Sequence, residues 1–368
     1  MQFDCIASAA FGLEGVAAKE LRDIGFDSVK AENGGARFQA DEIGVMRANL
    51  WLGTADRVLI VLGEFPARSF DELFEGVRAL PWERFISPRG RILVKGKCVR
   101  SMLMSVRDCQ SITKKAIVER LRDKLNVRVL PEDAEEYSLE VAVVKDVARL
   151  TLDTSGAALN KRGYRVLNGE AAIRETLARA LLTLSPWRLS EPLYDPCCGS
   201  GTFLIEAAMM KSGKAPGLER GFAVTSWKGF DARAMELLRE EARDRFKPEL
   251  ACDIAGSDIN PEALSYCATH FKKAGFSGIK VEKCDLRELK IEENSGCFIC
   301  NPPYGERLSD IKTAEKLYAE MGKLLGRTPG WSMGVIATDP LFERCFGRRA
   351  KSRRRLYNGR LECEFMCF

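Results

Sequence analysis

Apolar residues recur along the chain with two different periods. Short alternating runs at Phe3–Ser8, Ala36–Gln39 and Val58–Leu62 predict strands, whereas Leu13–Ile24 and Asp41–Leu50 have helical spacing, and Gly34-Gly35 supplies a turn. Phe70, Leu73, Phe74 and Val77, spaced three and four apart, predict a helix over 69–80, followed by a strand at Arg91–Gly96. A second helix, from about Ser111 to Leu125, places Ile112, Ala116, Leu121 and Leu125 on its buried side. A hairpin comes next, Tyr137–Val144 and Val147–Asp153 around Lys145-Asp146, in which Leu139, Val141 and Val143 alternate with Glu140 and Ala142. The polar, glycine-containing stretch Ser155–Arg165 is the expected domain boundary.

Beyond Asn168 the texture changes to helices alternating with apolar strands, which predicts a parallel sheet. Ile173, Leu177, Leu181 and Leu184 form a helical stripe that ends at Pro186. Strands are expected at Pro192–Tyr194, Ile254–Ser257, Ile279–Glu282, Cys297–Cys300 and Ser332–Ala337. Arg353–Phe368 has the pattern of a closing hairpin turned at Asn358-Gly359. The expected class is therefore α/β, a mostly parallel sheet with a C-terminal antiparallel hairpin, preceded by an α+β module.

Charge changes this picture locally. With 57 Lys/Arg against 52 Asp/Glu the net charge is only +5, yet Arg84–Arg128 holds 13 basic residues against Asp108, Glu119 and Asp123. That local +10 leaves the remainder at −5 and suits a phosphate-binding face, because neutralising phosphates releases counterions. A solvated surface is the alternative. A second basic run, Arg348 to Arg355, precedes the last strands. The longest charge-free run, Asn294–Gly305, has 12 residues and, like Thr328–Thr338 with 11, is too short for a membrane-spanning helix. The N-terminus lacks a basic segment of the secretory kind, so a cytoplasmic location is expected. One histidine, His270, excludes histidine-rich metal sites, and 13 scattered cysteines suit reduced thiols rather than a disulfide framework.

The residues that carry chemistry sit at predicted strand ends. Asp195-Pro-Cys-Cys-Gly-Ser-Gly-Thr202 follows a short strand and opens the helix Phe203–Lys211. Glycines there let the backbone approach a ligand at the carboxyl edge of a sheet, and this turn alone suits a nicotinamide cofactor and S-adenosylmethionine (AdoMet) alike. Nothing in the sequence supplies the proton donor a nicotinamide enzyme needs. Asp258 ends the next strand, where a carboxylate can accept from both ribose hydroxyls, and Asp285 ends the following one, where it can take an adenine amino group. Asn301-Pro302-Pro303-Tyr304 ends the fourth. An exocyclic base amine is a poor nucleophile because its lone pair is delocalised into the ring. Two rigid acceptors, the Asn301 amide oxygen and the Pro302 carbonyl, can bind its hydrogens and bias the nitrogen toward tetrahedral geometry, while Tyr304 offers a flat face to an extruded base.

These motifs resemble those of the THUMP-domain RNA guanine-N2 methyltransferases, in particular the bacterial 23S rRNA large-subunit type. Asn301–Leu308 and Asp195–Phe203 carry the likeness, and Asn160–Arg165, Ala172–Leu182 and Ala215–Phe222 match the same group. The resemblance implies a ferredoxin-like region over 1–65, a THUMP domain over 66–155 and a class I AdoMet-dependent methyltransferase domain over 165–368. It assigns Asp195, Gly199 and Gly201 to the methionine side of AdoMet, Asp258 to the ribose, Asp285 to the adenine, and Asn301, Pro302 and Tyr304 to the target base. Cys197, Thr202, Ile259 and Leu286 join the cofactor set, as does Thr176, beside Glu175. Lys95, Lys97, Arg100, Lys114, Lys115 and Arg162 are the expected RNA contacts.

The implied reaction is methyl transfer to guanine N2 in 23S rRNA or its precursor, by in-line displacement on a flipped base. A tRNA guanine is the near alternative, and the same four-residue motif also serves adenine N6 and glutamine amides. A non-catalytic RNA-binding assembly factor is the alternative of another class. Enzymes of this type can carry a second methyltransferase domain, and this sequence holds one, so any second methylation is expected of another protein.

Several other features have plainer expectations. Cys297-x-x-Cys300 lies on a predicted buried strand without a partner pair, so no metal is expected. Cys197 and Cys198 lack a base and are expected as small buried residues rather than nucleophiles. His270 is expected at the surface or partly packed, and the five tryptophans as core or packing aromatics, with the border of a substrate channel as the alternative for Trp227.

Overall fold

The computed structural model describes residues 1–167, 172–251, 253–304, 308–338, 341–359 and 361–368. Gly305–Arg307 of the motif that ends the fourth parallel strand lie outside the described residues. In the N-terminal half, β1 (Phe3–Ser8), β2 (Lys30–Glu32), β3 (Gly35–Ala40), β4 (Arg57–Pro66), β5 (Arg91–Val99), β6 (Glu136–Val144) and β7 (Val147–Asp153) form a sheet in the order β2-β3-β1-β4-β7-β6-β5. Only β5 and β6 pair in parallel. β4 pairs with β1 through its first residues and with β7 along nearly its whole length. The two modules separated at residue 65 on sequence grounds thus share one sheet.

Helices α1 (Glu14–Asp23), α2 (Glu42–Trp51), α3 (Phe70–Ala79) and α4 (Val106–Leu125) belong to this half. α4 starts well before Ser111, because Ser105 Oγ accepts the Asp108 amide hydrogen at 3.3 Å and caps the helix there.

The C-terminal half contains α5 (Glu175–Leu184), β8 (Leu193–Asp195), α6 (Thr202–Ser212), α7 (Ala232–Arg245), β9 (Ile254–Asp258), α8 (Pro261–Ala274), β10 (Lys280–Lys283), β11 (Gly296–Cys300), α9 (Leu308–Arg327), β12 (Trp331–Ala337), α10 (Phe342–Phe346), β13 (Ser352–Asn358) and β14 (Leu361–Cys367). Its strands follow the order β10-β9-β8-β11-β12-β14-β13, the first five parallel and the last two antiparallel. From β8 the chain builds outward through β9 to β10 on one side and through β11 to β12 on the other. The crevice between β8 and β11 is therefore the switch point at which open α/β sheets bind ligands. β11 is buried along its whole length, as its unbroken apolar run requires.

The boundary segment Ser155–Arg165 is packed into the fold: Thr154, Ser155, Leu159, Arg162 and Tyr164 are buried, and Asn49 bonds the Thr154 and Ser155 hydroxyls at 2.8 and 2.6 Å. Trp227 is a core aromatic, 3% exposed. It stacks on Tyr137 with ring centroids 5.0 Å apart and donates from Nε1 to the Glu136 carbonyl, so its segment packs onto the N-terminal sheet. Phe222, Val224, Met235, Leu238 and Ala242 enter the same N-terminal core, stapling the C-terminal domain to the first half. His270 is 1% exposed, its Nδ1 3.2 Å from the Ser200 carbonyl and its Nε2 accepting the Leu167 amide hydrogen, and burial lowers its pKa. A helical position after a polar strand end concealed its role as a brace for the glycine turn. Among the described residues no helix is long and apolar enough to cross a membrane.

Candidate active site

Strand register brings the predicted strand-end residues together. Asp195 lies opposite Gly256, Phe298 opposite Tyr194 and Lys283 opposite Asp258, so Asp195, Asp258, Asp285 and Asn301 all emerge at the carboxyl edge around the switch point. The glycine turn is built by its own hydrogen bonds. Asp195 Oδ1 accepts the Cys197 amide at 3.0 Å, the Cys198 amide donates to the Ser257 carbonyl, and the Gly199 amide donates to Asp258 Oδ2 at 2.8 Å. Gly199 and Gly201 have φ of +51° and +83°, a region open mainly to glycine. A Cβ on Gly201 would sit 2.7 Å from the Phe271 ring, whereas one on Gly199 would enter open space.

Asp195 is buried, and burial holds its carboxyl well above the usual carboxylate range, with the Cys197 amide opposing. The Cys197 thiol is likewise pushed far up by burial and by Asp195, which leaves no thiolate nucleophile there. Asp258 receives one backbone amide on each oxygen, from Gly199 and from Asn260 at 2.9 Å, and each oxygen keeps a lone pair for a hydroxyl. Asp285 is gripped by Arg287 through Nε at 2.9 Å and Nη2 at 2.5 Å, and this partner lowers its pKa to about 2. Its carboxylate is thus ionised, and Oδ2, which accepts from Nη2 alone, keeps a lone pair for a further donor. Ile259 is 66% exposed beside Asp258, whereas Leu286 is packed into the core against α9.

Asn301, Pro302 and Tyr304 follow β11. The Tyr304 hydroxyl donates to Asn301 Oδ1 at 2.5 Å and accepts from Asn358 Nδ2 at 3.1 Å, while Tyr318 donates to the Pro303 carbonyl at 3.3 Å. Burial raises the Tyr304 pKa, so the phenol keeps its proton and remains a donor to Asn301. Asn358 was legible only as a turn residue; its contact with Tyr304 joins residues far apart in sequence. Arg165 and Asp56 were also missed: Arg165 donates to Thr202 Oγ1 at 2.7 Å, and Asp56 Oδ1 accepts from the Thr176 hydroxyl at 2.7 Å. Thr176, placed in the cofactor set on sequence grounds, spends its hydroxyl on this bond to the N-terminal half.

The basic residues do not form one face. A Cβ on Gly96 would touch Gln110 and Val106 of α4, so α4 covers that face of β5, and strand alternation sends Lys95 and Lys97 to the other. These two line an open groove with Arg57, Glu140, Arg149 and Asp153, in which Lys97 pairs with Glu140 at 3.2 Å. Lys114 and Lys115 lie on α4 instead, the first 2.8 Å from Glu132, the second 69% exposed. Arg100, after β5, has a left-handed backbone with φ of +49°. Arg162 is corrected outright. Its side chain is 1% exposed and pairs with the fully buried Glu206 at 3.2 Å, so it cannot meet RNA. Among the described residues no group of three or more His, Cys, Asp or Glu is placed to hold a metal.

The switch-point crevice, a glycine turn open on the Gly199 side and carboxylates after successive strands fit AdoMet, and define the class: an AdoMet-dependent methyltransferase of the class I α/β fold. Comparison with known proteins agrees. Residues 162–366 match the RMKL-like methyltransferase domain, 4–59 the RlmL ferredoxin-like domain and 67–153 the THUMP domain. The chain belongs to the RMKL-like methyltransferase family. It is 39% identical to the "Putative RNA methyltransferase YpsC" of Bacillus subtilis (strain 168), over 99% of this chain and 95% of that protein. It is 35% identical to the ribosomal RNA large subunit methyltransferase K/L of Syntrophotalea carbinolica, over 98% of this chain but only 53% of that protein, so it spans about half the length of such relatives. The crystal structure of SMU.472 complexed with SAH superposes with a TM-score of 0.95 at 40% identity, covering 100% of this chain and 98% of that one.

One prediction concerns the turn itself. Gly201→Ala forces a side chain into a left-handed position against Phe271, and overpacking of this kind costs about 1–3 kcal/mol. S-adenosylhomocysteine affinity, measured by calorimetry, is expected to fall about tenfold. Unchanged affinity would show that the turn yields without consequence for the cofactor.

Proposed function

We propose that this chain transfers a methyl group from AdoMet to the exocyclic N2 of a guanine in 23S rRNA, by direct displacement on a base extruded from its stack. The observation that carries this reading is the Asn301-Pro-Pro-Tyr304 end of β11 at the switch point, with Asn301 Oδ1 already serving as a hydrogen-bond acceptor. AdoMet, when bound, supplies the electrophilic methyl. Asp195 and the glycine turn would hold its methionine end, Asp258 its ribose and Asp285 its adenine. The Asn301 amide oxygen and the Pro302 carbonyl accept the two amine hydrogens and turn the nitrogen lone pair outward, and Tyr304 stacks the base. To admit the amine, the Tyr304 hydroxyl gives up its bond to Asn301.

The THUMP match, the basic segment and the RNA-acting names of the relatives support RNA as substrate. Methyl transfer from labelled AdoMet onto RNA from a strain lacking this gene tests the reading. Label recovered as N2-methylguanosine in the 23S fraction is the expected result; label in tRNA, or on adenine, would replace the substrate while keeping the chemistry.

We place the principal phosphate contacts on α4. Lys115→Glu is expected to weaken RNA binding and to reduce the slope of log affinity against log salt by about 1. An unchanged slope would move the contact to the opposite sheet face, with Lys95 and Lys97.

A further inference from the structure

Two exposed aromatic rings from opposite halves of the chain meet beside the catalytic motif. Phe11 sits in the turn between β1 and α1, and Tyr357 lies next to last in β13, the edge strand of the C-terminal sheet. Their ring centroids are 5.9 Å apart at 72°, an edge-to-face pair. Phe11 is 63% exposed and Tyr357 37%, so the rings form no part of a core. The turn that carries Phe11 is fixed against the strand. Arg354 Nη1 donates to the Gly12 carbonyl at 2.9 Å, and Gly12, with φ of +83°, lies so close that a Cβ would stand 2.9 Å from the Arg355 carbonyl. Such a tight join holds two large aromatic rings in water, the Tyr357 hydroxyl donating to Glu362 at 3.4 Å.

Strand alternation relates the pair to the site. Leu356 points into the core, Tyr357 points out, and Asn358 points back in to donate to the Tyr304 hydroxyl. One residue thus separates the exposed rings from the hydrogen-bonded group at Asn301. The approach along β13 is cationic: Arg348, Arg349, Lys351, Arg353, Arg354 and Arg355 are all exposed. Arg353 is partly balanced by Glu343 and Glu364 and Arg355 by Glu362, whereas Arg348–Arg355 carries six cations against these three carboxylates.

Flat rings beside a basic track suit single-stranded nucleic acid, in which bases stack on aromatic side chains while phosphates follow positive charge. A base drawn out of its stack also leaves its neighbour without one face. We propose that Phe11 and Tyr357 form a stacking platform for the nucleotide adjoining the target base in single-stranded RNA. This rests on the RNA reading given above. The platform holds the strand at the point where it bends into the site, and because one ring comes from each half of the chain, it forms only when both halves are docked.

The test uses the full chain and a short single-stranded RNA carrying 2-aminopurine next to a central guanine. Stacking on a ring quenches the 2-aminopurine fluorescence. Phe11→Ala and Tyr357→Ala are each expected to weaken binding of this probe by about 5- to 100-fold and to relieve the quench, since base–aromatic stacking of this kind is lost on truncation. Tyr357→Phe keeps a ring and is expected to retain both, and S-adenosylhomocysteine binding is expected to be unchanged in all three, which shows that the fold is intact. Native affinity and quench in both alanine variants would overturn the platform. So would a native protein that methylates RNA yet neither binds nor quenches the probe, and the RNA reading would then survive. A native protein that transfers no methyl to any RNA and leaves the probe free overturns both.

Discussion

Asn301→Ala is expected to slow methyl transfer by about 10²- to 10³-fold, the range found when one preorganised polar group is removed from a reacting centre. Asn301 follows a strand buried over all of its residues and is followed by two prolines, so its side chain springs from backbone with little freedom to adjust. Its amide oxygen is the acceptor that the Tyr304 phenol now engages, and its removal leaves the Pro302 carbonyl without the second acceptor of the proposed pair. The proposed cofactor contacts come from the turns after β8, β9 and β10, so S-adenosylhomocysteine affinity is expected to be preserved. Single-turnover transfer from labelled AdoMet, beside calorimetric binding, separates the two quantities. A rate close to that of the unaltered protein would remove Asn301 from the chemistry. Asn301→Asp, which retains an acceptor at the same position, should recover part of the loss.

The second large effect concerns stability. Glu206, on the helix that follows the glycine turn, is completely buried and gathers Arg162 Nε at 3.2 Å and the Tyr164 hydroxyl at 3.2 Å, and Arg179 Nη1 donates to its backbone carbonyl. Arg162 in turn donates to the carbonyls of Leu159, at 2.7 Å, and Gly53. Glu206→Ala leaves a guanidinium in the interior without its countercharge, and breaking such a pair costs about 3–5 kcal/mol. Urea unfolding should show the midpoint falling with an unchanged slope. A loss below about 1 kcal/mol would mean that water or a neighbouring carboxylate reaches Arg162, which is the behaviour of an exposed pair.

Arg162 also shows where sequence reasoning reaches its limit. Its basic neighbours and its place in Asn160–Arg165 made it a reasonable RNA contact, but Glu206, its partner, lies 44 positions away on another element. Local charge reveals a cation and says nothing of what faces it. The same limit separated Lys95 and Lys97 from Lys114 and Lys115, which are close in sequence yet divided by the thickness of a sheet and its helix. Strands fared better, because an apolar run bounded by polar turns depends on burial alone. β11, β12 and the closing hairpin lie within a residue or so of their predicted spans, and the parallel order then brings Asp195, Asp258, Asp285 and Asn301 to one edge without further information. The cap at Ser105 is a local signal that the predicted helix start at Ser111 passed over, whereas what remained hidden was tertiary: the burial of His270, the Asn358 bond to Tyr304, and the packing of Trp227 against Tyr137.

That last contact has a consequence for substrate choice. The segment carrying Phe222, Val224 and Trp227 leaves the catalytic domain, enters the core beneath the N-terminal sheet and returns through α7. Two bodies joined in this way cannot swing apart as beads on a tether would, so the span from the THUMP surface to Asn301 is set by the fold. An instrument with fixed jaws selects by size. On the proposed function, guanines whose surroundings place a graspable helix at the matching distance are the expected substrates, and those set nearer or farther are expected to be passed over.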